Sequence, residues 1–275
     1  MRTLAHISDL HFGRVDEAVL EPLREALLRL SPHLLVVSGD LTQRARAAQF
    51  RAARAYLDTL PRPQLVVPGN HDVPLYNVFK RFLAPLRDYR RIVTDELEPG
   101  YFDDELAVVG VNTARSLTFK GGRINAAQAE SVRARLCDLP AGVTKIVVTH
   151  HPFHVPEGSG EEGQIVGRAR MALEKLAHCG ADLLLSGHLH ESDVGHTAER
   201  YRIAGVSALV VQAGTATSSR TRESPNGFNF LRVEDNHIEV DRFEWSSGRF
   251  TRRDTEAFDH DASGWGTGAV RHAPA

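Results

Sequence analysis

The chain of 275 residues is long enough for one large domain or two small ones, and for a substantial buried core. Hydrophobic residues make up 42% of it and charged residues 25%, which is typical of an ordinary globular protein. The formal net charge of −2 argues against a general binder of nucleic acids or anionic membranes, because such binding needs clustered positive charge.

The compartment of the protein is predicted from segments that the sequence does not contain. No apolar stretch approaches the ~20 residues that a membrane-spanning helix needs. The sequence enters the stretch Thr3–Asp9 without the basic segment, apolar core and cleavage site of a secretion signal, so we expect a cytoplasmic location.

Cys137 and Cys179 form neither a CxxC motif nor a disulfide framework. Because each lies in an apolar helical pattern, we expect buried structural thiols.

The first two thirds of the chain alternate between predicted strands and predicted helices. Short apolar runs are typical of strands that are buried on both faces, as in parallel sheets. Such strands are predicted at residues 4–8, 34–37, 65–67, 106–111, 146–148 and 183–185. Apolar residues recur at helical spacing over Val19–Leu30, and a second amphipathic helix is predicted over Arg44–Leu60. Asn125, with Gln128 three residues later, predicts a capping box that opens another helix.

After the last of these runs the pattern changes to strands without intervening helices. Strands are predicted at Ala208–Gln212, Phe228–Val233 and Ile238–Trp245, and they indicate an α/β core completed by antiparallel strands. No linker rich in Pro, Gly or Ser divides the chain, so residues 1–250 are expected to form a single domain. Residues 251–275 lose hydrophobic periodicity and gain Gly, Asp and His, which predicts an extended or disordered C-terminal tail.

Five short blocks of metal-ligating residues stand at the ends of the predicted strands. They read Asp9-Leu10-His11, Gly39-Asp40, Gly69-Asn70-His71-Asp72, His150-His151 and Gly187-His188-Leu189-His190. Ligand sites of open α/β sheets lie at the carboxyl ends of the strands, so we expect the blocks to meet there. Together they offer enough carboxylate, imidazole and amide donors for two metal ions.

Local geometry favours convergence within the blocks. Residues i and i+2 of an extended segment point to the same side, so Asp9 and His11 can approach one ion, as can His188 and His190. A glycine opens the second and third blocks, where the chain must turn sharply and let backbone approach a metal or phosphate. Asp40 is the isolated carboxylate best placed to bridge two ions with its two oxygens.

The order of the blocks, D-x-H, G-D, G-N-H-D, H and G-H-x-H, resembles that of the calcineurin-like metallophosphoesterase superfamily over residues 9 to 190. The compact size and the sequence around Asp9 and Asp40 are similar to those of bacterial class III cyclic-nucleotide phosphodiesterases. This resemblance implies an α/β fold, a four-layer αββα sandwich in which helices flank two central sheets. It also implies two divalent or trivalent metal ions, and the mixed nitrogen and oxygen ligands suit Mn, Fe or Zn.

The resemblance also implies a role for each residue. One ion would be held by Asp9, His11, Asp40 and His190, and the other by Asp40, Asn70, His150 and His188, so that Asp40 bridges them. A hydroxide between the ions would attack phosphorus while both metals offset the developing charge. His71 would face the leaving oxygen as a general acid or hydrogen-bond donor. Asp72 would orient His71, as carboxylates commonly do for functional imidazoles.

These features leave three classes of function. The first is hydrolysis of a small phosphodiester, such as a cyclic nucleotide or glycerophosphodiester, at a dinuclear metal centre. The second is a phosphomonoesterase, or a pyrophosphohydrolase that acts on nucleotides or lipid-linked headgroups. A lipid substrate would call for an exposed apolar or basic amphipathic insertion, and the sequence shows no convincing one. The third is a scaffold without activity, against which the complete ligand set argues.

The expected partner is therefore a small-molecule phosphoester. The lack of a basic patch argues against a nuclease, no membrane partner is expected, and a homo-oligomer is left open. We expect diesters to be preferred over monoesters, because only Arg14 stands near a block as a candidate phosphate contact, although a solvated loop position explains it slightly better. Other arginines, including Arg44, Arg115 and Arg123, could fold into the pocket and supply such a contact. The segment Pro152–Gly167, expected to border the site, is acidic through Glu157, Glu161 and Glu162 and would disfavour the more charged substrate.

Further residues near the blocks have open roles. His151 stands beside the predicted ligand of the fourth block, and it could support the site, contact the substrate or take no part. His6 and His33 are expected to be a core histidine and a surface histidine. Asn112-Thr113 closes another strand, as the ligand blocks do, but a plain turn explains this pair equally well.

Overall fold

The computed structural model describes residues 1–118, 121–140, 142–155, 161–177, 179–190, 192–197, 201, 203, 208–219, 224–262 and 264–272. In these ranges the chain forms six α-helices and thirteen β-strands. Residues 156–160, which include Glu157 of the segment predicted to border the site, lie outside the described residues.

As far as the seventh strand, helices separate the strands except between β4 and β5, and two helices, α3 and α4, lie between β3 and β4. The strands are β1 (Arg2–Ile7), β2 (Leu34–Val37), β3 (Gln64–Val66), β4 (Gly100–Phe102), β5 (Leu106–Gly110), β6 (Thr144–Val148), β7 (Leu183–Ser186), β8 (Asp193–His196), β9 (Leu209–Gln212), β10 (Gly227–Glu234), β11 (His237–Ser246), β12 (Arg249–Asp261) and β13 (Gly264–Thr267). The helices are α1 (Glu17–Leu30), α2 (Ala47–Leu57), α3 (Val78–Leu83), α4 (Arg87–Ile92), α5 (Ala126–Leu136) and α6 (Ala169–Leu176).

The strands form two mixed sheets. The first has the order β13-β12-β11-β10-β1-β2-β3, in which β1, β2 and β3 are parallel and β10 is antiparallel to β1. The second has the order β4-β5-β6-β7-β9-β8, in which β5, β6, β7 and β9 are parallel. The C-terminal strands β10 to β12 form an antiparallel meander, as the loss of helices from the sequence predicted.

Three hydrophobic clusters divide the molecule into four layers. The central cluster contains buried side chains of both sheets, including Val36 of β2 and Ile146 of β6, so the sheets pack face to face. Helices α1 and α2 cover the outer face of the first sheet through residues such as Leu23 and Phe50. Helices α5 and α6 cover the outer face of the second sheet, and Leu173 lies in that contact. The predicted four-layer αββα sandwich is confirmed.

Two helices begin with side-chain caps that fix where they start. At α1, Asp16 accepts a hydrogen bond from the backbone N–H of Ala18 at 3.1 Å. At α5, the predicted capping box is confirmed. The side chain of Asn125 accepts from the backbone N–H of Gln128 at 2.8 Å, and the Gln128 side chain accepts from the Asn125 N–H at 3.0 Å. Such caps satisfy N–H groups that have no partner within the helix.

The C-terminal region differs from the sequence prediction. Strands β12 and β13 extend the first sheet to residue 267, so the predicted tail over 251–275 is wrong for most of its length. Strand β12 also crosses the domain end predicted at residue 250. The apolar alternation is hidden for two reasons. The β11–β12 ladder contains an irregularity in register, and charged side chains pair across it, as Arg242 does with Asp254.

The two cysteines also differ from the prediction. Cys137 and Cys179 form a disulfide bond, so the expectation of two separate thiols is wrong. Cys137 directly follows α5, Cys179 lies just beyond α6, and these two helices contact each other on the second sheet. The local helical pattern carried no information about which helix ends meet, and that is why the pairing was missed.

The segment after the third block contains α3 and α4, which the sequence did not predict. An apolar surface on and before α3 is exposed, and we call it the α3 surface. It consists of Tyr76, Val78, Phe79, Phe82 and Leu83. The expectation that no apolar insertion is exposed is therefore wrong, because the amphipathic pattern of so short a helix is not visible in the sequence. Among the described residues, no helix is both long and apolar enough to cross a membrane.

Candidate metal centre

The five ligand blocks meet where parallel strands of the two sheets end. Strands β1, β2 and β3 lead into the first three blocks, and β6 and β7 lead into the last two. Candidate ligand atoms fall into four overlapping groups, each within 4.8 Å: Asp9/His11/His190, Asp9/Asp40/His150, His11/Asp40/His71 and His150/His151/His188. Asn70 joins them, since its Oδ1 lies 3.0 Å from Nε2 of His150. The structure thus brings all seven predicted ligands together.

The backbone at the site adopts left-handed conformations that the sequence did not predict. Five ligand residues have positive φ angles, between 49° and 79°, and they are Asp9, His11, Asp40, His188 and His190. Such angles are uncommon for residues other than glycine and cluster at functional sites, where the surrounding structure enforces them. The premise of extended i and i+2 pairs is therefore wrong. The side chains converge because the chain turns sharply at each ligand.

Glycine allows the second and third blocks to touch. Gly39 has a φ of +103°, and a Cβ there would lie 2.7 Å from Nδ1 of His150. A Cβ on Gly69 would collide with Oδ1 of Asp40. A larger residue at either position would displace a predicted ligand, so the two glycines allow the ligand side chains to pack against the backbone. The expected approach of the backbone to a metal or phosphate stays a prediction.

Asp9 presents one oxygen to the centre of the site. Its Oδ2 accepts hydrogen bonds from the Ser8 hydroxyl at 2.6 Å and from the backbone N–H of His188 at 3.0 Å. Its Oδ1 is buried without a hydrogen-bond partner among the described residues, 3.4 Å from Nε2 of His11 and 3.8 Å from Nε2 of His190. Two fixed contacts on one oxygen therefore hold the other toward the two histidines.

Asp40 lies between two parts of the cluster. Its Oδ1 accepts a hydrogen bond from the backbone N–H of His71 at 2.8 Å. Its Oδ2 is 3.4 Å from Nε2 of His150 and 3.9 Å from Nε2 of His11. One carboxylate therefore lies near His11, which follows β1 of the first sheet, and near His150, which follows β6 of the second.

His150 is oriented by a backbone carbonyl. Its Nδ1 lies 2.8 Å from the carbonyl oxygen of Ser38, so that nitrogen donates and Nε2 faces the site. There Nε2 is 3.3 Å from Nδ1 of His188, whose own Nε2 is buried and has no hydrogen-bond partner within the described ranges. Histidine ligands of metals commonly have this arrangement, in which the second nitrogen is held by a carbonyl or carboxylate.

The electrostatics of the cluster favour positive charge at its centre. Burial opposes the ionisation of Asp9 and Asp40, yet the neighbouring histidines lower the pKa of both carboxyls. Against its burial, Asp40 raises the pKa of His150 to about 9, whereas burial and His150 lower the pKa of His188 to about 3. Burial and the charge of Asp40 raise the pKa of Asp72 to about 7. Two buried negative charges thus attract a cation, which a proton or a metal ion can supply.

The unpartnered atoms of the site fit bound metal ions. Asp9 Oδ1, both ring nitrogens of His11 and His188 Nε2 are buried and have no hydrogen-bond partner in the part of the chain that the structure describes. Buried polar atoms almost always have a partner, so four such atoms in one cluster call for an explanation. Carboxylate oxygen and imidazole nitrogen are the donors of borderline divalent ions, and a metal ion would satisfy them together.

His71 and Asp72 have partners other than those predicted. The Asp72 carboxylate accepts hydrogen bonds from the backbone N–H groups of Leu41 and Thr42, at 3.1 and 2.9 Å. It also accepts one from the backbone N–H of Gly69, at the start of its own block, at 3.0 Å. It thereby ties the second block to the third. Nδ1 of His71 instead lies 3.0 Å from the carbonyl oxygen of Gln43. The expectation that Asp72 orients His71 directly is wrong, because a backbone carbonyl occupies that position.

Two threonines that the sequence did not assign contact site histidines. Oγ1 of Thr215 contacts Nδ1 of His190, and Oγ1 of Thr113 lies 2.8 Å from Nδ1 of His151. The ring of His151 packs 4.6 Å from that of His188, centroid to centroid. Thr113 closes a strand, a signal that could have identified it, whereas Thr215 belongs to no motif. His151 therefore borders the cluster, and its role stays open among the alternatives.

The remaining candidates lie apart from the cluster. His6 is buried with Nε2 2.9 Å from the Ser38 hydroxyl and His33 is exposed, as expected for a core and a surface histidine. Arg14 is exposed. Among the described residues, no lysine or arginine forms an ion pair with Asp9 or Asp40, whose partners are histidines.

A family model described as calcineurin-like phosphoesterase matches residues 2–192, which include all five blocks. The chain belongs to this family, and the resemblance seen in the sequence is confirmed.

Two relatives carry names that describe an activity. The chain is 38% identical over 96 residues to the glycerophosphodiester phosphodiesterase GpdQ of Enterobacter lignolyticus, a match that covers 30% of this chain and only 33% of that relative. It is 24% identical over 250 residues to a probable cyclic nucleotide phosphodiesterase of Synechococcus sp., over 84% of this chain and 88% of the relative.

A solved structure shares the fold. Purple acid phosphatase PPD1 from yellow lupin (Lupinus luteus) seeds superimposes with a TM-score of 0.73 at 12% identity. The superposition covers 95% of this chain and 54% of that one, so the present chain spans about half the length of the lupin protein. At this identity the likeness shows a common fold alone.

Proposed function

We propose that this protein is a metal-dependent phosphodiesterase that hydrolyses small phosphodiesters, such as a cyclic nucleotide or a glycerophosphodiester. The observation that carries the proposal is the convergence of the seven candidate ligands. Six of them belong to overlapping groups linked through Asp9, Asp40 and His150, and Asn70 contacts His150. Membership in a phosphoesterase family supports hydrolysis of a phosphoester. The two relatives described above are named as phosphodiesterases, which supports the diester class.

The proposed ligand sets follow the contacts of the two aspartates. Asp9, His11, Asp40 and His190 would hold one ion, and Asp40, Asn70, His150 and His188 would hold the other. When bound, two such ions offset charge that develops on the phosphoryl group and activate water as a nucleophile. The donor set suits Mn, Fe or Zn.

His71 is the proposed proton donor to the leaving oxygen. Its Nδ1 is engaged by Gln43, since it lies 3.0 Å from the backbone carbonyl oxygen and 3.2 Å from the side-chain amide nitrogen of that residue. Nε2 of His71 is therefore the nitrogen left to exchange a proton with substrate. Its backbone N–H is fixed on Oδ1 of Asp40, which couples its position to the ligands. Asp72 contributes indirectly, because its hydrogen bonds hold the turn that carries Asp40 against the turn that carries His71.

The cations near the site favour a monoanionic substrate. At neutral pH a diester carries one negative charge, whereas a monoester carries nearly two. Arg115 is occupied by the carbonyl oxygens of Asn112 and Ala114, at 2.9 and 2.8 Å, and burial lowers its pKa. Arg14 is exposed. Because Arg115 is committed to these carbonyl oxygens, the second charge of a monoester gains little from that guanidinium.

Activity against matched substrates tests the proposal. The metal-free protein is reconstituted with Mn, Fe or Zn, and kcat/KM is compared for bis(p-nitrophenyl) phosphate and p-nitrophenyl phosphate under the same metal. We expect a clear preference for the diester, abolition of both activities in His150→Ala, and unchanged activity in His33→Ala, which replaces an exposed histidine outside the cluster. A monoester preference would move the assignment to a phosphomonoesterase, and inactivity with all three metals would favour a scaffold.

The α3 surface favours a second candidate, hydrolysis of a lipid-linked phosphoester. The surface follows the third ligand block directly, and Cζ of Arg44, just after the second block, lies 5.4 Å from the Tyr76 ring centroid. Large exposed apolar patches mark binding surfaces, and here Lys80, Arg87 and Arg90 add positive charge.

A comparison of soluble and lipid substrates decides between the two candidates. The double variant Phe79→Ser/Leu83→Ser removes apolar area without touching the metal ligands. If the substrate is lipid-linked, the variant should lose activity on a phospholipid in mixed micelles and keep its activity on bis(p-nitrophenyl) phosphate. If the ratio of the two activities is the same in the variant as in the wild type, a lipid-binding role for this surface is excluded.

A further inference from the structure

A second group of potential metal ligands lies at the other end of the first sheet. It consists of His237 and Glu239 of β11 and His272 beyond β13, and we call it the C-terminal histidine cluster. Strand β10 ends beside the start of β1, since Val233 pairs with Arg2, whereas the candidate metal centre follows the end of β1. The cluster is therefore separate from the proposed catalytic site.

Two of the donor distances match those around a small divalent ion, and one ligand atom from each of the three residues lies within 4.8 Å of the others. Nε2 of His237 is 3.4 Å from Oε1 of Glu239, and Nδ1 of His272 is 3.3 Å from Oε2 of the same carboxylate. Zinc–donor bonds of about 2.0–2.1 Å in a tetrahedron place neighbouring donors about 3.3 Å apart. His237 and Glu239 are buried, and Nδ1 of His272 is a buried atom with no hydrogen-bond partner among the described residues.

Each histidine of the cluster has a carboxylate at its other nitrogen. Nδ1 of His237 is 2.8 Å from Asp259, and Nε2 of His272 is 3.4 Å from Glu234. Metal-binding histidines commonly make such a contact, which fixes the tautomer and strengthens the nitrogen that faces the metal. The same arrangement at both rings turns both remaining nitrogens toward Glu239.

The arginines near the cluster are balanced by other carboxylates. Nη1 of Arg232 is 3.3 Å from Glu239, but its Nη2 donates to Asp241 at 2.7 Å. The guanidinium of Arg271 contacts Asp259. Nη1 of Arg252 also lies 3.8 Å from Asp241. The four carboxylates, which are Glu234, Glu239, Asp241 and Asp259, therefore exceed the three guanidinium groups by one negative charge, and that excess favours a cation.

The backbone holds His272 in place for this role. The N–H groups of Arg271 and His272 both donate to Oε1 of Glu239, the latter at 3.0 Å. We propose that the C-terminal histidine cluster binds one zinc ion, or a similar borderline divalent ion, through His237 Nε2, His272 Nδ1 and the Glu239 carboxylate. The ion fastens the segment after β13 to the β10–β11 hairpin, and its role is structural.

Zinc stoichiometry tests the proposal. The full chain is stripped with a chelator, reloaded with zinc and desalted, and its zinc content is measured by plasma mass spectrometry. His272→Ala should hold one equivalent per chain fewer than the wild type. His260→Ala, which replaces an exposed histidine of β12, should match the wild type. Equal zinc in His272→Ala and the wild type would overturn the proposal.

The Asp40→Ala background separates this site from the catalytic one. In that background the remaining zinc should depend on His272, and zinc should raise the thermal unfolding midpoint of Asp40→Ala but not of Asp40→Ala/His272→Ala. Cobalt in place of zinc should give visible absorption that disappears in the double variant. If zinc still raised the unfolding midpoint of Asp40→Ala/His272→Ala, the assignment would be contradicted, whatever the enzyme proves to hydrolyse.

Discussion

Asp40 is the residue on which both proposed metal ions depend. Because Oδ2 of its carboxylate lies near both His11 and His150, which belong to the two different proposed ligand sets, Asp40→Ala should lose both ions. Asp9→Ala should chiefly weaken the ion near His11 and His190, the two histidines that its free oxygen faces. Metal analysis of the reconstituted variants measures both effects. Full metal retention by Asp40→Ala would refute its assignment as the shared ligand.

The acid role of His71 predicts a loss of rate without a loss of metal. His71→Ala should keep its metal content and lose on the order of 10²–10⁴ in rate, the usual contribution of a general acid. The loss should be larger for an alkyl leaving group than for nitrophenolate, which leaves without protonation. The pair of substrates is compared in both proteins with the same metal.

Two outcomes would contradict that role. Equal losses for alkyl and nitrophenyl substrates would argue that His71 does not protonate the leaving oxygen. Loss of metal from His71→Ala would make it a ligand, a result that its group with His11 and Asp40 makes geometrically feasible.

At the residue scale, side-chain chemistry was easier to predict than backbone geometry. The sequence pointed to the seven candidate ligands, which the structure brings together, because each follows a strand and strand ends are where α/β sites form. It did not reveal the positive φ angle of Asp40, since that angle is enforced by contacts between distant turns. Nor did it identify Gln43, which acts on His71 through a carbonyl oxygen that every residue possesses.

At the scale of single elements, the capping box of α5 gives a direct test. Asn125→Ala removes the acceptor for the Gln128 N–H and should lower the free energy of unfolding by about 1 kcal/mol, measured by urea denaturation. Ser131→Ala, at an exposed position within the same helix, should be neutral or slightly stabilising. An unchanged stability of Asn125→Ala would mean that water replaces the cap without cost.

Elements were predictable where burial imposed a clear pattern. Strands β2, β5 and β6 are buried at every residue and therefore appear in the sequence as apolar runs. Helix α3 and strand β12 were missed because both expose much of their surface, so no periodic apolar stripe marks them. Their formation depends on contacts with other elements, such as the pairing of β12 with β11, and a local sequence pattern does not show such contacts.

At the scale of the molecule, strand order and the family resemblance together predicted the four layers, but neither could pair the cysteines. The Cys137–Cys179 bond joins the ends of α5 and α6, which are separated by 42 residues in the chain. A cross-link of this span restricts the unfolded chain and typically stabilises a protein by about 2–4 kcal/mol. Reduction with dithiothreitol should therefore lower the urea midpoint of the wild type.

The double variant Cys137→Ser/Cys179→Ser is the control for that experiment. It should unfold at the lower midpoint with or without dithiothreitol, because it has no bond to reduce. Both helices pack on the outer face of the second sheet, away from the strand ends that carry the ligands, so phosphodiesterase activity under native conditions should be the same in both redox states. Identical urea midpoints for oxidised and reduced wild type would show that the bond adds no stability.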